Sequence, residues 1–236
     1  MKNKTGYWNF ASFVALMILM TGCFNNDGGI FGINPWVNYG SLKDIDGNEY
    51  RSILIGSQTW MVDNLTTTKL NDGTLIPVIN DGTAWGNLST PGCCWQNNDP
   101  PRKVTYGVLY NWYTVNTGKL CPTGWHVPSD EEWSELTTYL GGENAAAGKL
   151  KESGFKHWKT PNSGATNETY FWAYPGGDRL DGTGAFENLF EKGSWWTTTF
   201  GTNDAIIRSM SYNSINIQKS YYLKQMGLSV RCIKNF

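Results

Sequence analysis

The chain has 236 residues, with 19 Lys and Arg against 20 Asp and Glu, and 14% of it is aromatic, including 12 Trp. A chain of this length buries about 70% of the surface its unfolded form exposes, so a full core needs no outside support. The near-neutral balance without a basic stretch excludes nucleic acid as the main partner, and the wealth of aromatics excludes disorder over most of the chain.

Lys2 and Lys4 precede an apolar run, Phe10 to Met20, which is too short to span a bilayer and reads as the core of a signal peptide. The run leads through Thr21 and Gly22 to Cys23, as in a bacterial lipobox, so cleavage after residue 22 and lipidation of Cys23 are predicted. Residues 23–41, with Asn25-Asn26-Asp27-Gly28-Gly29, read as a solvated tether, and 42–236 as a single domain. Phe24 stands where an inner-membrane retention signal would carry Asp. The expected product is an outer-membrane lipoprotein, on the cell surface or the periplasmic face, whose contact with the membrane is the lipid on Cys23.

Asp44-Ile-Asp-Gly-Asn48 precedes two apolar runs, 51–56 and 58–62, and predicts a turn leading into a hairpin. Asp44, Asp46 and Asn48 imitate the start of a calcium loop, but Ile55 occupies the place of the bidentate acid, so a turn is the expected reading. From Asn71 to Pro101 the sequence is loop-like, and loops this long are usually functional or poorly ordered. Trp85 and Trp95, set among turn residues without apolar periodicity, are therefore predicted to be partly exposed and are the candidate ligand-binding residues. Trp158 also lies in loop-like sequence, whereas Trp60, Trp112, Trp125 and Trp133 are expected in the core. Tyr106 to Tyr113 reads as a buried aromatic segment. Ser129 with Glu132 forms a capping box for a helix through Trp133, Leu136 and Leu140 that Gly141-Gly142 stops, and a weaker helix is predicted over 143–153. Short strands and loops follow over 154–192. Ile206, Arg208, Met210 and Tyr212 share one strand face, and Leu228, Val230 and Cys232 share a face of the last strand.

Export would place Cys93, Cys94, Cys121 and Cys232 in an oxidising compartment, where four cysteines allow three pairings. Adjacent Cys93 and Cys94 could bridge each other, pair separately or stay reduced. With no CxxC pair and only His126 and His157 as histidines, neither a metal site nor a cofactor is expected.

Cys121-Pro-Thr-Gly-Trp-His-Val-Pro-Ser-Asp-Glu-Glu-Trp133, Tyr106-Gly-Val-Leu-Tyr-Asn-Trp112, Gly176-Gly177 and Ser229-Val-Arg-Cys-Ile-Lys234 together resemble the Fibrobacter succinogenes major paralogous domain family. Asp44 to Tyr50 and Ile55 to Met61 fit it as well. The resemblance implies an extracytoplasmic domain, often on lipoproteins, with disulfides and no established activity. More distantly, the helix start and the terminal Val-Arg-Cys look like the C-type-lectin-like and formylglycine-generating-enzyme fold. That likeness implies an α+β, loop-rich domain of antiparallel sheets with one or two helices. It also implies a bridge from Cys121 to Cys232, because a strand near the C-terminus of that fold lies beside earlier elements.

Formylglycine-generating enzymes use a cysteine pair near the C-terminus, where this chain has Cys232 alone, and the calcium-binding triplets of sugar-binding C-type lectins do not occur. Asp130, Glu131, Glu132 and Glu135 cluster at a helix start, where capping already accounts for them, and His126 reads as a packed, hydrogen-bonded residue. No catalytic residues are predicted. The expectation is a non-enzymatic binding or adhesion module for a glycan or protein ligand; the alternatives are an enzyme on a degenerate formylglycine-generating-like fold and a structural envelope component. Exposed Trp around a groove would favour binding, and titratable groups converging in a cleft would favour an enzyme.

Overall fold

The computed structural model describes Met1 and residues 37–235, of which Asn38 onward belongs to one compact unit. Cys23, residues 2–22 of the expected signal peptide and most of the expected tether lie outside the described residues. The elements in chain order are β1 Gly40–Lys43, β2 Glu49–Ile55, β3 Gln58–Met61, α1 Gly82–Gly86, β4 Cys93–Cys94, α2 Arg102–Tyr106, β5 Leu109–Tyr110, α3 Trp112–Val115 and β6 Trp125–His126. They continue with α4 Asp130–Tyr139, α5 Glu143–Leu150, β7 Asp178–Arg179, β8 Phe186–Glu187, β9 Lys192–Phe200, β10 Asp204–Ser211, β11 Ile217–Leu223 and β12 Ile233–Lys234. The fold is α+β and rich in loops. A five-stranded antiparallel sheet runs β1-β2-β3-β12-β6 and a three-stranded one β11-β10-β9, while β4-β5 and β7-β8 are small ladders.

The Asp44 turn joins β1 to β2 as expected. The Asp44 carboxylate accepts from the backbone and side chain of Asn48 and from the Tyr50 hydroxyl, and Asp46 accepts from Thr67 and Thr68 and pairs with Lys69. In α4, Ser129 accepts from the Glu132 N–H while the Glu132 carboxylate accepts from the Ser129 N–H, the predicted capping box. The second helix ends at Leu150 rather than 153. There the chain leaves the helix to bridge Lys151 with Ala173, which turns the Lys151 ammonium inward. In β10 both faces are buried from Ala205 to Met210, so alternation does not pick out one core face. Leu228 to Cys232 is buried throughout and pairs only through isolated bridges, because neighbours lie on both of its sides.

Two apolar clusters fill the domain, one around Tyr110, Trp196 and Val230, the other around Trp60, Trp133 and Trp195; a third, small one holds Trp85, Cys94 and Leu109. Cys121 and Cys232 form the expected disulfide, closing a separation of 111 residues. Cys93 and Cys94 are free. Successive residues of a strand point to opposite faces, so Cys93 enters the first cluster and Cys94 the third, which rules out a bridge between them. Burial pushes the Cys93 thiol up to about 12 and the Cys94 thiol up to about 11.

A fold with so many loops strands backbone carbonyls that no ladder can satisfy. Three fully buried cations take up that role. Arg179 donates to the carbonyls of Asn80, Ile79 and Gly184 and lies 4.6 Å from the Trp85 ring centre. Lys151 donates to Ser163, Ser211 and Ser214 carbonyls, 5.4 Å from Trp158. Arg231 donates to the carbonyls of Phe171 and Trp172 and lies 4.3 Å from Phe171 and 5.6 Å from Trp195. Each therefore exchanges water for carbonyl oxygens and an aromatic face, both of which accept a cation without adding a countercharge. Arg208 solves the same problem differently, through ion pairs with Asp130 and Glu143.

Candidate functional site

The residues expected to meet a ligand are largely enclosed. Trp85 is 0% exposed: α1 is capped by the Asp81 carboxylate, and Arg179, arriving from nearly a hundred residues away, closes over the indole. Trp95 is half-buried against the first cluster, with the Lys103 ammonium 5.8 Å from its ring. Trp158 is buried and donates to the Ala173 carbonyl. The long 71–101 segment is thus held by the β4–β5 ladder and by burial of side chains such as Ile76 and Trp85. Trp60, Trp112 and Trp133 are core, but Trp125 is only half-buried.

The carboxylates at the start of α4 are committed to structure. Asp130 binds Arg208 and Lys219, Glu132 caps the helix and meets His126 at 2.8 Å, and Glu135 accepts from Ser57. His126 also contacts the Asn235 side chain at 2.7 Å and is hydrogen-bonded as expected, although partly exposed rather than packed.

A different set of residues forms the most distinctive surface. Among the described residues, three aromatics have positive φ, Tyr170 at 56°, Trp172 at 54° and Phe190 at 69°. Left-handed backbone at a bulky residue is a genuine outlier that costs on the order of 1 to 3 kcal/mol, and such strain persists only where the surroundings enforce it. Here the surroundings are identifiable. Asn167 accepts the Trp172 N–H, and Arg231 grips the Phe171 and Trp172 carbonyls from below. Arg231 is itself fixed by Asn64 and by the neighbouring Cys121–Cys232 bridge.

The result is a continuous belt. The Trp172 indole donates to the Tyr39 hydroxyl at 3.1 Å, and Arg51 lies 5.5 Å from the Tyr39 ring while pairing with Asp63. Tyr174 follows, its ring 5.1 Å from His157, which is edge-on to Tyr106 at 5.8 Å; Tyr106 in turn meets Phe190 at 6.0 Å. Tyr39, Tyr170, Trp172 and Tyr174 are half-buried and Phe190 is exposed, so the belt offers ring surface to solvent. Under it the buried Glu152 faces His157 Nδ1, with both oxygens at 2.9 Å. Burial, with the Glu152 charge added, pushes the Tyr174 hydroxyl up to about 12; Tyr106 reaches about 12 chiefly through burial. Both hydroxyls are therefore neutral donors at any ordinary pH.

Sequence reasoning passed over this belt. Its signal was the run Tyr170-Phe-Trp-Ala-Tyr174, four aromatics in five residues behind Asn167, in a segment without a strand period. The glycine pair ahead of β7 supports the same region: Gly177 has φ +67°, and a Cβ there would lie 2.4 Å from the Glu187 carbonyl.

A family model described as the Fibrobacter succinogenes major domain matches residues 53–234. No curated protein and no solved structure matches the chain. The match takes in the disulfide, the α4 capping box, the glycine pair and the Arg231 clamp, and by it the chain belongs to the Fibrobacter succinogenes major domain family.

Proposed function

We propose that the chain is an exported, lipid-anchored module of the outer membrane that binds a glycan or protein ligand through the aromatic belt and performs no chemistry on it. The observation that supports this reading most is the trio of aromatics held in left-handed backbone, with Trp172 and Tyr170 partly exposed and Phe190 exposed. Large rings fixed in advance bind at low entropic cost, and strain is retained where a surface must keep one shape. The test is an array of glycans and proteins probed with the full chain. Trp172→Ala should weaken the strongest interaction about 5- to 150-fold, and an unchanged profile would remove the belt from the reading. For the anchor, a palmitate analogue fed to cells should label the wild-type chain, and equal labelling of Cys23→Ala would refute lipidation there.

One observation favours an enzyme instead, the Glu152–His157 pair beneath two tyrosines, which has the makings of an oriented base. Among the described residues, no hydroxyl or thiol nucleophile is hydrogen-bonded to His157. Loss of binding in Trp172→Ala with binding kept in His157→Gln would favour the module.

A further inference from the structure

A hollow of about 570 Å³ that shares no residue with the belt lies where α1, α3, the turn after β7, the β9–β10 turn and the end of β11 come together. Ligand sites commonly enclose about 300 to 1,000 Å³, so the size suits a small ring. Its walls come close because Gly86 has no side chain: a Cβ there would lie 2.3 Å from the Gly182 carbonyl.

The polar groups facing the hollow are of mixed kind. Lys224 donates to the carbonyls of Gly201 and Thr202 at 3.0 and 2.9 Å, and stands 4.7 Å from the Trp112 ring centre and 4.9 Å from Phe200. Its charge is therefore largely satisfied from within. Gln225 donates to the Tyr113 hydroxyl at 3.3 Å, which leaves the Gln225 carbonyl and the Tyr113 proton for another partner. Among the described residues, the Asp181 carboxylate and the Asn203 carboxamide accept and donate no side-chain hydrogen bond; Asp181 is bonded only through its backbone.

These groups choose among ligand classes. An apolar ligand would cover the Asp181 carboxylate without replacing its water, which is costly. An anion would face that carboxylate and find a cation already occupied. A neutral polyol meets every requirement: adjacent hydroxyls can donate together to a carboxylate, and carboxamides both give and accept. We infer that this hollow is a binding site for one neutral pyranose unit of a glycan, with Asp181 and Asn203 as its principal polar contacts and Tyr113 as its aromatic wall. The inference does not depend on the belt.

Saturation-transfer NMR of the full chain in detergent, with the methyl glycosides of glucose, galactose, mannose and N-acetylglucosamine, tests it, and methyl glucuronide serves as the charged control. At least one neutral glycoside should bind and the glucuronide should not. Asp181→Ala should weaken that binding about 10-fold or more, the loss expected for a hydrogen bond to a charged group. Asn203→Ala, at an exposed position without partners, should weaken it without altering the melting temperature, and Leu75→Ala, at an exposed position outside both the hollow and the belt, should leave it unchanged. Silence of the whole panel, preference for the glucuronide, or binding that survives Asp181→Ala would overturn the site. Binding lost in Trp172→Ala but kept in both hollow variants would place the sugar on the belt, and would overturn it equally.

Discussion

Arg179 and Arg231 do the same job in two places and leave opposite surfaces behind. Each is fully buried, each donates to carbonyls of an irregular segment, each packs on aromatic rings, and among the described residues neither forms an ion pair. Around Arg179 the indole of Trp85 is folded in beneath the cation and is lost to solvent. Around Arg231 the enclosed ring is Phe171, and the next residue, Trp172, is turned out by its left-handed backbone. A buried arginine in a loop thus says that carbonyls are being gathered. It does not say which neighbouring aromatic remains for a ligand; beside Arg231 it is Trp172, whose backbone is left-handed.

Three perturbations separate the two places and a fourth probes the remaining buried cation, Lys151; the largest concerns the bridge beside Arg231. Closing 111 residues is worth roughly 4 to 5 kcal/mol in the loop-entropy model, so Cys121→Ser paired with Cys232→Ser should lower the urea midpoint steeply. Hydrogen exchange should then accelerate at Trp172 and Ala173 more than at Trp85. Equal acceleration at both places would mean that the bridge steadies the fold as a whole rather than the Arg231 clamp.

Next in size is Trp85→Ala, which should cost about 3 to 5 kcal/mol of stability, as for any large enclosed aromatic, and leave ligand binding as it was. A melting temperature close to wild type would show that the indole contributes less than its enclosure implies.

The third concerns Lys151, the buried cation that is not an arginine and so can lose its proton in an accessible range. Burial pushes its ammonium down to about 8, against about 10.4 in an unfolded chain. Between those values the unfolded chain holds the proton and the folded one does not, so stability should rise with pH across that window. The rise should amount to about 3 kcal/mol, and it should be missing from Lys151→Met. Urea midpoints at successive pH values would show it, and parallel curves for the two proteins would mean that the carbonyls of Ser163, Ser211 and Ser214 keep the charge in place.

The smallest effect on the fold belongs to Trp172→Ala. Partly buried, the ring should contribute less to stability than Trp85 does, about 1 to 2 kcal/mol, and about 1 to 3 kcal/mol to ligand binding, where Trp85 contributes nothing. Paired calorimetry and binding measurements on the two variants would put the contrast in numbers.

Much of the frame was legible in the sequence, and the reasons are local. Ser129 and Glu132 stand three apart ahead of an apolar period, and this spacing alone defines the start of α4. The turn at Asp44 and the strands after it follow from Asp-Gly chemistry and apolar runs. The Cys121–Cys232 bridge was reached through family likeness, since spacing left three pairings open. Trp85 was misjudged because its neighbours are turn formers, while the group that encloses it, Arg179, lies far along the chain and leaves no mark near position 85. The belt stayed hidden for a related reason. Nothing around Trp172 announces a left-handed backbone, which is enforced by Asn167 and by Arg231 from the other end of the domain.

Tyr39, the residue that receives the Trp172 hydrogen bond, is also the last one before β1. If Cys23 carries the lipid proposed above, any pull between the membrane and a captured ligand enters the domain at this tyrosine. The load would fall first on β1, an edge strand of four residues paired only with β2, and on the Tyr39 hydroxyl. The grip of the belt and the tension on the anchor are then mechanically linked: a force that peels β1 away also withdraws the support of Trp172, so the ligand is let go before the core gives way.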